Sequence, residues 1–459
     1  SGAIKEKQTI MKAEKLPLSE KMGFAAGDMA VNVMIAGLFF LMSIFYTDVF
    51  GLDPKDMGIL FFVARIVDAF TDPMMGMLTD RVKTRWGHFK HWFLFLSVPY
   101  GISVVLLYTT PDAGYAFKLI WAYATYLFAT MIFTGVAIPY ISLIGVMTAD
   151  PKERLSANGY RMTFAKVANV IIVAAVPWLA REWGGGDDIE SLQKGYPLAM
   201  SLMAIFAVGL FLFCFKETHE RLEHKVDKTP IFTQIASLFR NDQWLLLCAV
   251  CVIGTVGYAI RGNVAMYYAT YYLDIPKLAG VFVGAGITAS IFSMIASTWI
   301  TKNYCKVKLF RYSQLLVLVL SVLMYFVVGK GDVVLAFIFY ILICFVVDLH
   351  APIFWSAIAE VVDYGEFKNK RRVSGISFGG ISFCQKAGGG LAGLIVGLLL
   401  TYFEYQPNVE QTDISLMGIA LMLTIIPGVF HAMMGGVMFL YKITDSYYNT
   451  MMKEQKLPE

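Results

Sequence analysis

Apolar runs of membrane-crossing length recur along this chain, separated by short polar stretches. A helix needs roughly 20 consecutive apolar residues to cross a bilayer core. Runs of that kind fall near 22–48, 55–79, 92–110, 117–147, 156–180 and 196–215. A second set falls near 243–273, 278–301, 311–329, 333–362, 374–402 and 414–441. The pattern predicts an all-α membrane protein with twelve transmembrane helices. The polar stretch from Lys216 to Asp242, which contains ETHERLEHKVDK, separates six runs from six. The expected organisation is a tail over 1–21, a six-helix bundle over 22–216, a linker over 217–242, a second six-helix bundle over 243–445 and a tail over 446–459.

Composition agrees with the pattern. Of 459 residues, 57% are hydrophobic and only 16% charged, where soluble domains carry about a quarter charged. So much apolar surface excludes a soluble enzyme, a nucleic-acid binder or a disordered scaffold. The net charge of +4 says less than where the charges lie. Polar segments at one end of the spans hold 27 Lys and Arg, those at the other end hold 6, and 5 lie inside spans. Lys and Arg mark the cytoplasmic side, so both termini are expected in the cytoplasm and the protein in the cell inner (plasma) membrane. No cleavable signal peptide is expected, and the opening Ser1-Gly2-Ala3 reads as an expression scar. Cys248 and Cys251 form a CxxC inside LLLCAVCVIG without flanking ligands, and read as small core filler.

Charges inside the spans carry the candidate chemistry, because a charge at mid-membrane costs several kcal/mol or more unless paired or hydrated. The second span carries Arg65, Asp68 and Asp72 in VARIVDAFTDP. Asp68 and Asp72 are four apart and share a helical face. Two close carboxylates repel unless a cation or proton lies between them, which is the make-up of a small-cation site for Na⁺ or H⁺. Thr71 and Thr134 add neutral oxygens. The ordinary alternative is a salt bridge to Arg65, but two Asp against one local Arg leave excess negative charge. Asp28 lies in the first span and Lys386, followed by glycines, in the eleventh. After the second span come Asp80, Arg81 and Arg85, in a Gly76-x-x-x-Asp80-Arg81 pattern that suits pairing at a cytoplasmic gate. Arg261 in the seventh span faces a cavity or a packed helix. In the tenth, Pro352 breaks a helix near Asp348, His350 and Trp355, whose ring can stack on a sugar.

Six spans, a linker and six spans, with that acidic–basic loop, resemble the major facilitator superfamily. VARIVDAFTDPMMG, RWGHFKHW, AIPYISL, VVDYGEFKNKRR and CQKAGGGLAG stand in order over both halves. Together they are similar to the glycoside–pentoside–hexuronide:cation symporter family, which is melibiose permease-like. The resemblance implies two six-helix bundles in the major facilitator fold, with the substrate between them. It implies that Asp68 and Asp72 bind the coupling cation and that Thr134 belongs to the same site. It further implies that Asp28 and Arg161 bind sugar and that Lys386 lies between cation and sugar. Three positions depart from the family pattern. Ala137 stands where an Asp precedes Ile-Pro, Ile141 where an aromatic stacks on the sugar, and Thr71 where sodium users have Asn.

The expected function is cation-coupled import of a small glycoside, pentoside or hexuronide by alternating access. The expected partners are the sugar or uronide, a monovalent cation and membrane lipids, with no nucleic acid and no cofactor beyond the coupling Na⁺ or H⁺. Within the spans Asp28, Asp68, Asp72 and Asp348 stand against Arg65, Arg161, Lys166, Arg261 and Lys386, one positive charge in excess. That excess points to an anionic sugar with Arg261 as its carboxylate partner. A neutral pentoside serves equally if Lys166 lies outside the cavity. A lysolipid transporter of the same family is the alternative. A membrane enzyme is disfavoured by the lack of a nucleophile–base pair, metal cluster or phosphate loop.

Overall fold

Prolines and side-chain caps set where several of the apolar runs become helices. The computed structural model describes residues 15–148, 151–224, 228–373 and 375–456. Ser1-Gly2-Ala3, most of the expected N-terminal tail and residues 457–459 lie outside the described residues. Helix α1 (Leu18–Phe50) stops at Gly51, whose φ of 91° continues no helix. Helices α2 (Pro54–Arg81) and α5 (Pro151–Gly184) open on a proline, which needs no donor there. Helices α3 (His91–Leu107) and α4 (Tyr115–Met147) lie between them. Asp188 caps α6 (Ile189–Glu217) by accepting from the Ser191 N–H at 3.2 Å. After a short helix α7 (Ile231–Phe239), Asn241 caps α8 (Asp242–Tyr272) by accepting from the Trp244 N–H at 3.1 Å.

Helices α9 (Ala279–Ile300) and α10 (Lys306–Val327) follow. The tenth span is broken into α11 (Val333–Asp348) and α12 (Ala351–Asn369) just before Pro352, where the sequence predicts a break. After α13 (Gly375–Tyr402), the last span is also broken, into α14 (Asp413–Leu423) and α15 (Ile425–Val437), at Thr424. Pro427 follows that break and is its cause, since it removes a helical donor. Helix α16 (Asp445–Lys456) ends the described chain. Among the described residues ten helices, broken ones counted whole, are long and apolar enough to cross a membrane. Helix α3, at 17 residues, and α2, with three charges in mid-helix, stand where the other two spans are expected. The described residues contain no strand beyond one isolated bridge, Thr84 to Gly87.

Contacts divide the chain into two compact units: residues up to 52 with 66–227, and 53–65 with 228–459. In the first unit α1 packs against α5 and α6, and α3 against α4 and α6. Tyr100 of α3 donates to the Ala30 carbonyl at 2.8 Å, and Tyr140 of α4 donates to that of Phe24. These bonds satisfy phenol groups that hydrocarbon surroundings cannot. In the second unit α8 packs on α13 and α15, and α10 on α15. Gln314 of α10 donates to the Val347 carbonyl at 3.1 Å and meets the His431 ring at 3.0 Å. The first turns of α2 belong to this unit, and a Cβ on Gly397 of α13 would lie 2.8 Å from the Gly58 Cα. Only glycine permits that approach.

Within the polar stretch between the bundles, Thr218 to His224 lies strapped across one end of the first unit. Glu20 of α1 holds Arg221 through two bonds of 2.7 Å and accepts from the His219 N–H at 3.1 Å. The N–H groups of Arg221 and Leu222 both donate to the Val146 carbonyl, at 2.8 and 2.9 Å. Glu220 accepts from the N–H groups of His88, Phe89 and Lys90 at 3.0 to 3.3 Å. The strap ties α1, α4 and the loop after α2 together.

Candidate functional site

Helices α2 and α4 bring the predicted cation ligands together. Asp68 is 3% exposed, and Asp72 follows it by one turn. Thr134 of α4 is buried and donates its hydroxyl to Asp72 Oδ1 at 2.9 Å. The hydroxyl of Thr71, the residue before Asp72, is enclosed and has no hydrogen-bond partner among the described residues. Pro73 has no N–H, so the Ala69 carbonyl lacks its helical donor. These residues offer two carboxylates, two hydroxyls and one carbonyl freed by the proline. Hard oxygen donors suit Na⁺ or H⁺. Among the described residues no three His, Cys, Asp or Glu side chains are arranged to hold a metal ion.

Asp28 of α1 meets Arg161 of α5, with Nε 3.2 Å from Oδ2. The pair is close enough to attract, but this N–H is not aimed for a hydrogen bond. Asn32, one turn along α1, donates to Asp28 Oδ1 at 3.3 Å and to the Asp28 carbonyl at 2.8 Å. The Arg161 guanidinium also lies 6.0 Å from the Tyr140 ring centroid, at the limit of a cation–π contact. A carboxylate with acceptor capacity to spare and a partly exposed guanidinium fit the hydroxyls and ring oxygens of a sugar.

The other predicted substrate residues lie in the second unit. Lys386 is half-buried in α13, whose Gly390 leaves room for the Arg65 stem: a Cβ there would sit 2.8 Å from Arg65 Cβ. Arg261 of α8 is 4% exposed, and its Nε donates to the Leu423 carbonyl at 3.2 Å, beside the break in the last span. Its Nη1 and Nη2 have no hydrogen-bond partner among the described residues. The same is true of one Asp348 oxygen and of His431 Nε2. Trp355 is 41% exposed, with its ring edge-on to Phe354.

The predicted gate residues are placed separately. Asp80 lies 2.7 Å from His224 of the strap. Arg81 is exposed, and Arg85 is exposed with its guanidinium 4.2 Å over the Trp86 ring. Lys90 donates to the Thr218 carbonyl at 2.6 Å, and burial pulls its ammonium below the usual lysine range, opposed by Glu220. The sequence reading missed Glu220 and His224, because a stretch such as THERLEH reads as solvated linker, and Glu20, because it falls in the expected tail. It also missed Asn32, whose four-residue spacing from Asp28 was there to be seen.

Residues 23–445 match the family described as MFS/sugar transport protein. The chain is 32% identical to the inner membrane symporter YicJ of Escherichia coli, over 97% of this chain and 96% of the relative. It is 34% identical to the E. coli putative glycoside/cation symporter YagG, covering 94% and 93%. The isoprimeverose transporter of Lactiplantibacillus pentosus is 29% identical, covering 95% and 91%. Among solved structures, a bacterial homologue of the human lysosomal transporter Spinster superposes with a TM-score of 0.65 at 14% identity, over 96% of this chain and 98% of that one. That last likeness speaks for the fold alone.

Proposed function

The chain belongs to the MFS/sugar transport protein family, and we propose from that premise how it couples a cation to a sugar. It is a multi-pass membrane transporter, a cation-coupled sugar symporter and not an enzyme. None of the relatives described above is named for a lipid, and the lysolipid alternative has no support. We propose that Na⁺ or H⁺ binds at Asp68 and Asp72, with Thr71 and Thr134 completing the oxygens, and that Asp28 and Arg161 bind the sugar. The observation that carries this is the Thr134–Asp72 bond of 2.9 Å beside the unpartnered Thr71 hydroxyl. Cation loading removes the repulsion between the carboxylates. Any gain in sugar affinity that follows must be returned as a gain in cation affinity. We place both termini in the cytoplasm on the Lys and Arg bias, and the direction of transport inward.

For the substrate, we propose a small neutral glycoside or pentoside, because Arg161 already has Asp28 as its counter-charge. A hexuronide is the second reading, favoured by the two unpartnered nitrogens of Arg261. The coupling test is the Asp68→Asn/Asp72→Asn double variant in proteoliposomes. Uphill uptake is expected to vanish while sugar exchange persists; undiminished uphill uptake removes the cation assignment. The substrate test compares neutral glycosides with glucuronides on wild type and Arg261→Ala. Selective loss of glucuronide binding in the variant decides for the hexuronide.

A further inference from the structure

Helix α7 is too short to span a membrane, yet it exposes some of the largest apolar side chains in the protein. Its nine residues cover about 14 Å, less than half a bilayer core. Phe232 is 87% exposed, Phe239 66% and Ile231 58%, and Phe232 is the most exposed large hydrophobic among the described residues. At about 100° per residue, Ile231, Ile235, Phe239, Phe232 and Ala236 fall within an arc of about 140°. Thr233, Ser237 and Gln234 fill much of the opposite side. Leu238, at the arc's edge, is 4% exposed and joins the buried cluster that includes Trp244 and Tyr364. The helix therefore has three faces: one docked on the second unit, one polar, and one apolar face that is half-buried at Ile235 and left exposed at Ile231, Phe232, Ala236 and Phe239.

Its position says what covers that face. Only Arg240 and Asn241 separate α7 from the start of α8, and Asn241 is fixed by donating to the Val361 carbonyl at 2.8 Å. The helix is thus tied at the depth where the chain enters the membrane. It touches α8 and α13, on which Leu245, Phe378 and Phe383 are also exposed. Exposed Lys228 and Arg240 flank it, and the segment 228–241 contains no Asp or Glu. A soluble partner would have to reach this face at the membrane surface. A phospholipid monolayer with anionic headgroups meets both its apolar arc and its flanking charges.

We propose that α7 is an interfacial anchor for an anionic lipid surface, with Ile231, Phe232 and Phe239 among the outer acyl segments and Lys228 and Arg240 at the phosphates. The proposal does not rest on the substrate or the cation. The test uses the full-length protein carrying p-benzoylphenylalanine at Phe232, Phe239, Thr233 or Ser237, reconstituted in vesicles of phosphatidylethanolamine with a minority of phosphatidylglycerol. After illumination, adducts are identified by mass spectrometry, and only variants that retain the wild-type unfolding temperature are compared.

Lipid adducts are expected at 232 and 239 and to be sparse at 233 and 237. Phosphatidylglycerol should be enriched roughly two- to fivefold over its share. The enrichment should fall to parity in Lys228→Gln/Arg240→Gln, while the adducts themselves remain. Equal lipid yield at all four positions, protein adducts at 232, or no phosphatidylglycerol enrichment in the otherwise wild-type background would each overturn the proposal.

Discussion

Thr134 in α4 donates its hydroxyl to Oδ1 of Asp72 in α2 at 2.9 Å, across 62 residues of chain. The bond fixes one carboxylate of the proposed cation site and orients its remaining lone pairs. Asp68, one turn earlier, is the more deeply buried of the two. In the proposed site a bound cation would offset the repulsion between the two carboxylates.

Replacing Thr134 by Val keeps the shape but removes the donor. A hydrogen bond to a charged group contributes about 1.5–3 kcal/mol, so cation affinity should fall roughly tenfold or more. Thr134→Ser should stay within about threefold of wild type, because it keeps the hydroxyl. The readout is the rise in unfolding temperature of purified protein with added Na⁺, or with falling pH. An unaltered cation response in Thr134→Val would remove Thr134 from the site.

Asp28 and Arg161 separate binding from folding. Each single neutralisation, Asp28→Asn or Arg161→Gln, leaves a partly buried charge without its partner. The double variant restores neutrality, so it should be more stable than either single variant by about 1–3 kcal/mol. Sugar binding should remain lost in all three. Calorimetric binding beside thermal unfolding tests both halves. If the double variant recovers binding along with stability, the pair is structural only.

The Glu20–Arg221 pair predicts how firmly the strap is held. Glu20 is almost fully buried, while a third of the Arg221 side chain is exposed. Removing one partner of a fully buried pair costs about 3–5 kcal/mol; the exposure of Arg221 brings the expectation for Arg221→Met down to about 2 kcal/mol. Lys is a poor substitute for a two-pronged contact, so Arg221→Lys should recover at most half. Chemical or thermal unfolding of the detergent-solubilised protein checks the order wild type, Lys, Met. A Met variant as stable as wild type would mean that the strap contributes nothing.

Much of the fold is legible because a bilayer imposes one length and one polarity on every span. Asp68 and Asp72 stand out for the same reason: carboxylates in such surroundings are conspicuous. What escaped is whatever depends on distant pairing. Glu20 and Arg221 are 201 residues apart and His88 and Glu220 are 132 apart. No local pattern tells a docked THERLEH from a solvated one. Thr424 is a different failure, since Pro427 stood in the sequence as a helix-breaking signal. Arg261 lies between these cases: its burial follows from its charge and depth, but its bond to the Leu423 carbonyl depends on the break in the last span.

Gly87 and Glu220 give the sharpest test of the strap. Gly87 has φ of 113°, a conformation that a side chain strains, and a Cβ built on it would collide with the Glu220 carboxylate. That carboxylate receives three consecutive backbone N–H groups, two of them on the buried residues Phe89 and Lys90. Gly87→Ala therefore meets two penalties. The backbone strain costs about 1–2 kcal/mol by itself, and displacing Glu220 leaves buried donors unsatisfied at about 1–3 kcal/mol. Glu220→Ala should incur the second penalty alone. The two substitutions should then be less than additive, because Glu220→Ala removes the collision and leaves only the strain. A double-mutant cycle on unfolding free energies measures this directly. Full additivity would show that Gly87 is required by its backbone alone and not by the space that Glu220 occupies.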